Sequence, residues 1–129
     1  MIAVDASALV AIGLTEPDML AYQRALALSD GSWLSAINYV ETMIVLGRYG
    51  VVSGVEDLDG WLARQGVEVF EGPDLGRGAA DAFLRYGKGR HPARLNLGDC
   101  FAYALAKELD APLLYKGHDF ALTDIRSAL

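Results

Sequence analysis

Only one cysteine, Cys100, occurs among the 129 residues, so no intrachain disulfide can staple the fold. It stands between Asp99 and Phe101 in a helix-like segment and reads as a buried small hydrophobe rather than a reactive thiol. Long apolar runs are missing too. None approaches the roughly 18 residues that a membrane span needs. The stretch from Met1 to Leu14 has no basic start and is interrupted by Asp5, which argues against a signal peptide and for a cytoplasmic location. Positive charge is scarce: 11 Lys and Arg against 17 Asp and Glu leave a formal net charge of −6. That sign is opposite to the basic surface on which phosphate binding usually rests. No grouping of Ser, Cys and His suggests a covalent nucleophile.

What is present is a globular composition, 53% hydrophobic and 22% charged, in a chain long enough for one domain over residues 1–129 with a sizeable core. Helix-like and strand-like patterns alternate without an internal repeat or low-complexity linker, which predicts an α/β fold. Ile2 to Val4 reads as a short buried strand. Ser7 could cap a helix from Ala8 to Leu14, and Glu16-Pro17-Asp18 has the proline and acids of a second helix start before Met19 to Leu28. Strands are expected at Trp33 to Ser35, Val67 to Phe70 and Leu113 to Tyr115. Helices are expected from Ser35 or Ala36 towards Arg48, around Leu58, Trp61 and Leu62, from Asp74 to Tyr86 and from Leu97 to Leu109. Thr123-Asp124-Ile125 is a candidate edge strand.

Four acids distributed along this pattern, Asp5, Glu41, Asp99 and Asp119, carry the chemical signal. Asp5 ends one strand and Asp119 follows another; if those strands are parallel neighbours, both acids lie at the carboxyl edge of a sheet, where open α/β folds place their sites. Glu41 falls three or four positions from Ile37, Ile44 and Val45, on an apolar stripe where an unpaired carboxylate is costly. Asp99 follows Asn96 by three, a capping arrangement at a helix's positive end. Each acid has a plain account of its own: a turn at Asp5, a pair between Glu41 and Arg48, a cap at Asp99, a local cap at Asp119. Jointly, several close carboxylates repel unless a divalent cation neutralises them. A further segment, Arg85 to Arg94, gathers Lys88, Arg90 and Arg94 around glycines with no acid among them. It is a candidate phosphate-contacting loop, with Tyr86 placed to stack on a base, or else a solvated connection between helices.

The runs Met1-Ile2-Ala3-Val4-Asp5-Ala6-Ser7, Ser35-Ala36-Ile37-Asn38-Tyr39-Val40-Glu41, Leu95-Asn96-Leu97-Gly98-Asp99 and Leu113-Leu114-Tyr115-Lys116-Gly117-His118-Asp119 resemble, in order, the motifs of PIN-domain nucleases, and more narrowly the VapC-type toxins of bacterial toxin-antitoxin pairs. The resemblance implies a PIN-like three-layer α/β/α fold with a central parallel sheet. It also implies a Mg2+ or Mn2+ site, endonucleolytic cleavage of RNA such as tRNA, a cognate antitoxin lying across the site, and a homodimer. By match to the motifs, Asp5, Glu41, Asp99 and Asp119 form the acidic site, Ser7 supports it by hydrogen bonding, and Lys116 joins the basic loop in holding phosphates. His118 departs from the acid or asparagine of many similar toxins. Two other classes share part of this pattern. A receiver-like phosphoacceptor would need a second acid beside Asp5 and an aspartate ending the third strand, and Ala6 and Val67 to Phe70 supply neither. A non-catalytic binding domain would not need all four acids.

Overall fold

The computed structural model describes every residue from Met1 to Leu129. Its elements run β1 (Ile2–Val4), α1 (Ala6–Gly13), α2 (Met19–Leu28), β2 (Ser32–Leu34), α3 (Ala36–Arg48), α4 (Val55–Gln65), β3 (Val67–Val69), α5 (Gly76–Tyr86), α6 (Leu97–Leu109) and β4 (Leu113–Leu114), followed by a 3-10 turn at Phe120–Leu122. The strands form one parallel sheet in the order β3-β2-β1-β4. Parallel pairing suits them because short apolar runs such as Ile2-Ala3-Val4 are covered on both faces.

Side-chain alternation along the strands divides the core in two. Ile2, Val4, Leu34, Val67 and Leu114 pack against residues of α1, α2, α3 and α4, including Leu9, Leu26, Leu46 and Leu58. Ala3 and Leu113 point the other way, towards Ala79 and Ala82 of α5 and Tyr103 and Leu105 of α6. The result is a three-layer α/β/α arrangement about a central parallel sheet. Small residues on α6, Ala102 and Ala106, are almost wholly buried and let that helix lie close to β1.

Register fixes where the chain leaves the sheet. Val4 stands opposite Leu34 on one side and Leu114 on the other. Asp5, Ser35 and Tyr115 are therefore the first residues beyond the same edge. The condition attached to the strand-end acids, parallel adjacent strands, holds for β1 and β4.

Several local expectations change. Asp5, not Ser7, is the N-cap of α1, which begins at Ala6, because the aspartate side chain accepts the Ser7 amide. β1 matches its expected bounds, β2, β3 and β4 each stop one residue earlier than expected, and α5 starts at Gly76 rather than Asp74. Thr123-Asp124-Ile125 is not an edge strand. Thr123 Oγ1 donates to Phe120 O and accepts from Ile125 N, folding that segment on itself. The tail meets the sheet later, where Leu113 N donates to Arg126 O and Ala128 N to Leu113 O at 2.8 and 2.9 Å. The apolar stripe beside Glu41 is also not core: Ile44 is 53% exposed, and the buried face of α3 is Asn38, Thr42 and Leu46.

Candidate active site

Asp5 is 5% exposed, an unusual position for a carboxylate. Its Oδ2 accepts the Ser7 amide at 3.0 Å. Burial pushes its pKa up to about 7, the charges of Asp99 and Glu41 push the same way, and hydrogen bonding from Ser7 opposes them. Asp99 sits in the first turn of α6, in a full capping box: Asn96 Oδ1 accepts the Asp99 amide at 2.9 Å and Asp99 Oδ2 accepts the Asn96 amide at 3.0 Å. Its pKa rises to about 6, first through burial and then through the charges of Asp119 and Glu41. The capping role and membership of the acidic group thus hold together. Both helix N-termini aim partial positive charge at the cluster, which offsets part of the repulsion.

Glu41 projects from the middle of α3 towards the start of α6. Its Oε1 accepts Asn38 Nδ2 at 2.8 Å, and its carboxylate lies so close to Gly98 that a Cβ there would overlap it. The expected alternative partner, Arg48, is not used. Asp119 is exposed, at the start of the 3-10 turn, and makes no capping bond. It reaches the group electrostatically through Asp99. Asp99 is accordingly the hub, in electrical contact with Asp5, Glu41 and Asp119.

None of the four acids forms an ion pair. On Asp5, Glu41 and Asp99, one carboxylate oxygen is tied to an N–H donor of the chain while the other makes no hydrogen bond. No group of three or more His, Cys, Asp or Glu side chains is drawn tightly enough to stand as a ready coordination cage. Electrostatically coupled, desolvated carboxylates with free oxygens are nevertheless the hard donor set that suits Mg2+ or Mn2+.

Around the acids, Ser7 serves twice. Its amide donates to Asp5 Oδ2 and its Oγ accepts the Lys116 amide at 2.9 Å. The side chain of Lys116 turns away from the expected phosphate role into ion pairs, 3.1 Å from Asp18 Oδ1 and 3.4 Å from Glu16 Oε1. Asp18 also accepts the Tyr22 hydroxyl. His118 is exposed next to Asp119. Lys88, Arg90 and Arg94 are exposed on the loop joining α5 to α6 and have no acidic partner. With Gly89, His91 and Pro92 they line an open depression of about 570 Å³. Arg90 Nε donates to Leu84 O, and Arg94 adopts a left-handed φ of 55°. Tyr86 is an anchor rather than a free stacking surface, its ring against His91 and Tyr103 at 5.0 and 5.6 Å. Cys100 is buried and its thiol is pushed up to about 11 by burial and by Asp99.

Sequence reasoning missed Asn38 and Gly98 as neighbours of the acids. The available signal was an asparagine one helical turn before Glu41 and a glycine just before Asp99. It also missed the Glu16 and Asp18 clasp on Lys116, since those residues lie 98 or more positions apart in the chain.

The PIN domain family profile matches residues 2–125. The chain belongs to the PIN-domain family. Within it the likeness is to VapC-type ribonucleases. It is 48% identical over 124 residues to Ribonuclease VapC of Mycolicibacterium smegmatis, covering 95% of each chain. It is 45% identical to Ribonuclease VapC30 of Mycobacterium tuberculosis, covering 95% of this chain and 94% of that one. Among solved structures, the fold matches Mycobacterium tuberculosis VapC20, described as a sarcin-ricin loop cleaving toxin, with a TM-score of 0.69 at 20% identity over 98% of this chain and 99% of that one. It also matches a toxin-antitoxin complex from Klebsiella pneumoniae, with a TM-score of 0.65 at 19% identity over 94% and 91% of the respective chains. A receiver-like assignment has no support from β3, which ends at Val69 before Phe70.

Proposed function

We propose that this VapC-type PIN protein is a divalent-cation-dependent endoribonuclease that cleaves phosphodiester bonds of a structured RNA, and that it is the toxin of a toxin-antitoxin pair. The observation that carries the reading is the acidic group itself: four carboxylates without a basic partner, two of them with raised pKa, at the carboxyl edge of a parallel sheet. Near-identity in length with relatives named as ribonucleases supports the nuclease class.

Asp5 and Asp99 would be the direct metal ligands through their free oxygens, with Asp119 completing the shell. A Mg2+ or Mn2+ ion bound there would supply Lewis-acid stabilisation of phosphoryl charge and a more acidic attacking water. Glu41, held by Asn38 through Oε1, would bind the ion through water or orient the attacking water with its second oxygen. Ser7 keeps Asp5 in place. Lys88, Arg90 and Arg94 hold the substrate backbone at a distance from the acids, where like charge would otherwise repel phosphate. Lys116 contributes less, because Glu16 and Asp18 already engage its charge.

The partners follow the same electrostatics. An antitoxin tail would quench the site by presenting an arginine or lysine to the carboxylates, a fixed cation making charge-assisted hydrogen bonds. A homodimer is the assembly proposed for the toxin. Transfer RNA and the sarcin-ricin loop, the target named for one structural neighbour, are the two RNA classes to try first.

The test is cleavage of total RNA by the purified protein in Mg2+, in Mn2+ and in chelator, with the new ends mapped. Metal-dependent cuts at a defined position that disappear in Asp5→Asn and Asp99→Asn support the reading. Equal cleavage in chelator, or by a folded Asp5→Asn protein, would end it; binding of RNA without any cut would favour a non-catalytic domain.

A further inference from the structure

Asn38 is wholly buried, and its side-chain amide makes three hydrogen bonds, using both N–H donors and one acceptor site of its oxygen. Ser35, the N-cap of α3, donates its hydroxyl to Asn38 Oδ1 at 2.7 Å. The two hydrogens on Nδ2 go to Glu41 Oε1 at 2.8 Å and to Gly98 O at 3.1 Å. One amide therefore joins the start of α3, the Glu41 carboxylate and the first turn of α6, 60 residues downstream. Gly98 completes the arrangement by what it lacks. Its backbone is not in the left-handed region, so glycine is not needed for conformation; a Cβ would instead stand inside the Glu41 carboxylate.

We propose that Asn38 and Gly98 are positioning residues that set where the Glu41 carboxylate points and how far it stands from Asp99. The proposal rests on the assignment of Glu41 to the active site. Aspartate cannot replace Asn38, since an ionised carboxylate has no hydrogen to give either acceptor and would add repulsion beside Glu41. Apolar residues of similar size would leave the Gly98 carbonyl without its partner and Glu41 free to change rotamer. A buried asparagine that merely satisfied the core would show none of this dependence on Glu41.

Gly98→Ala separates the two roles, because alanine is the better helix former at a position with helical backbone, and the atoms it meets are the mobile end of Glu41. The protein should melt at the same temperature or higher. Cleavage at saturating Mn2+ should nonetheless fall about tenfold to 100-fold, the scale expected when a reacting group is misplaced by about 1 Å. Mn2+ affinity measured by calorimetry should weaken as well. Asn38→Ala should lose activity similarly, and neither change should add to Glu41→Gln: the double variants should cleave no more slowly than Glu41→Gln alone. A folded Gly98→Ala or Asn38→Ala protein with wild-type rate and Mn2+ affinity would overturn the proposal, as would losses that multiply in the double variants. Should Asn38→Ala fail to fold, Gly98→Ala decides alone. Wild-type cleavage by Glu41→Gln would instead overturn the site assignment beneath the proposal, and the proposal with it.

Discussion

The Oγ of Ser7 accepts the backbone amide of Lys116 at 2.9 Å, joining residues 109 positions apart. This bond ties the end of β4 to the first turn of α1, so the segment that leads to Asp119 is anchored beside Asp5. One consequence is that Ser7→Ala should leave Asp5 capped, since the capping donor is the Ser7 backbone amide, yet loosen the approach of Asp119. Cleavage should drop several-fold while the melting temperature falls by the equivalent of about 1 kcal/mol, the usual net worth of one hydrogen bond. A rate unchanged within error would show that the β4 segment is positioned without this bond.

Metal-free protein should become less stable as pH rises. Asp5 is raised from 3.8 to about 7 and Asp99 from 3.8 to about 6, so the folded state keeps protons that the unfolded state gives up. Stability is then fully present below the unfolded carboxylate value and is lost progressively between about pH 4 and about pH 7. In chelator the melting temperature should be higher at pH 5 than at pH 8, and Mn2+ at pH 8 should restore it. A melting temperature that rises with pH in chelator would contradict a desolvated, repelling cluster.

Asp5→Asn isolates one member of that cluster. Asparagine caps a helix about as well as aspartate, so the substitution deletes the charge with little change in shape. Cleavage should fall below detection in both metals. In chelator at pH 8 the variant should be more stable than wild type, by at most about 4 kcal/mol from the shift of about three pKa units at Asp5. Thermal melts in chelator at pH 5 and pH 8 check it, since the advantage should shrink at the acid end.

Lys88, Arg90 and Arg94 replaced together by alanine should weaken RNA binding and reduce the slope of log affinity against log salt by about 2, three phosphate contacts at the single-strand value. Mn2+ affinity should be unchanged. Lys116→Ala should alter the slope less than the triple variant, because its ammonium is already shared between Asp18 and Glu16. Fluorescence anisotropy over a salt series distinguishes them; lost metal affinity with unaltered RNA binding would assign the loop to the site's architecture instead.

At the adjoining pair, Asp119→Asn should reduce cleavage severely in either metal, whereas His118→Asn should reduce it modestly and leave the preference between Mg2+ and Mn2+ nearly unchanged. Oxygen ligands serve both ions, while imidazole favours Mn2+. Rates across a concentration series of each metal decide it. Loss of the Mn2+ response in His118→Asn, with Asp119→Asn still active, would make His118 the ligand.

Up to β4, the order and kind of the elements, and the acids they carry, follow from the local pattern of residues. The apolar run Ile2-Ala3-Val4, closed by Asp5, reads as a short strand covered on both sides, and Asn96 three residues before Asp99 specifies its own capping box. These signals are legible because they depend on spacing within a few residues. Contacts made across the fold have no such spacing. The tertiary structure alone brought Glu41 against Gly98, turned Lys116 towards Asp18, and moved the tail's sheet contact from Thr123–Ile125 to Ser127. It also reversed the reading of the apolar stripe on α3, since periodicity marks two faces of a helix without saying which one the neighbouring helix will cover. Spacing places Asn38 one helical turn before Glu41, but its second partner, the carbonyl of Gly98, is supplied only by the packing of α6 on α3.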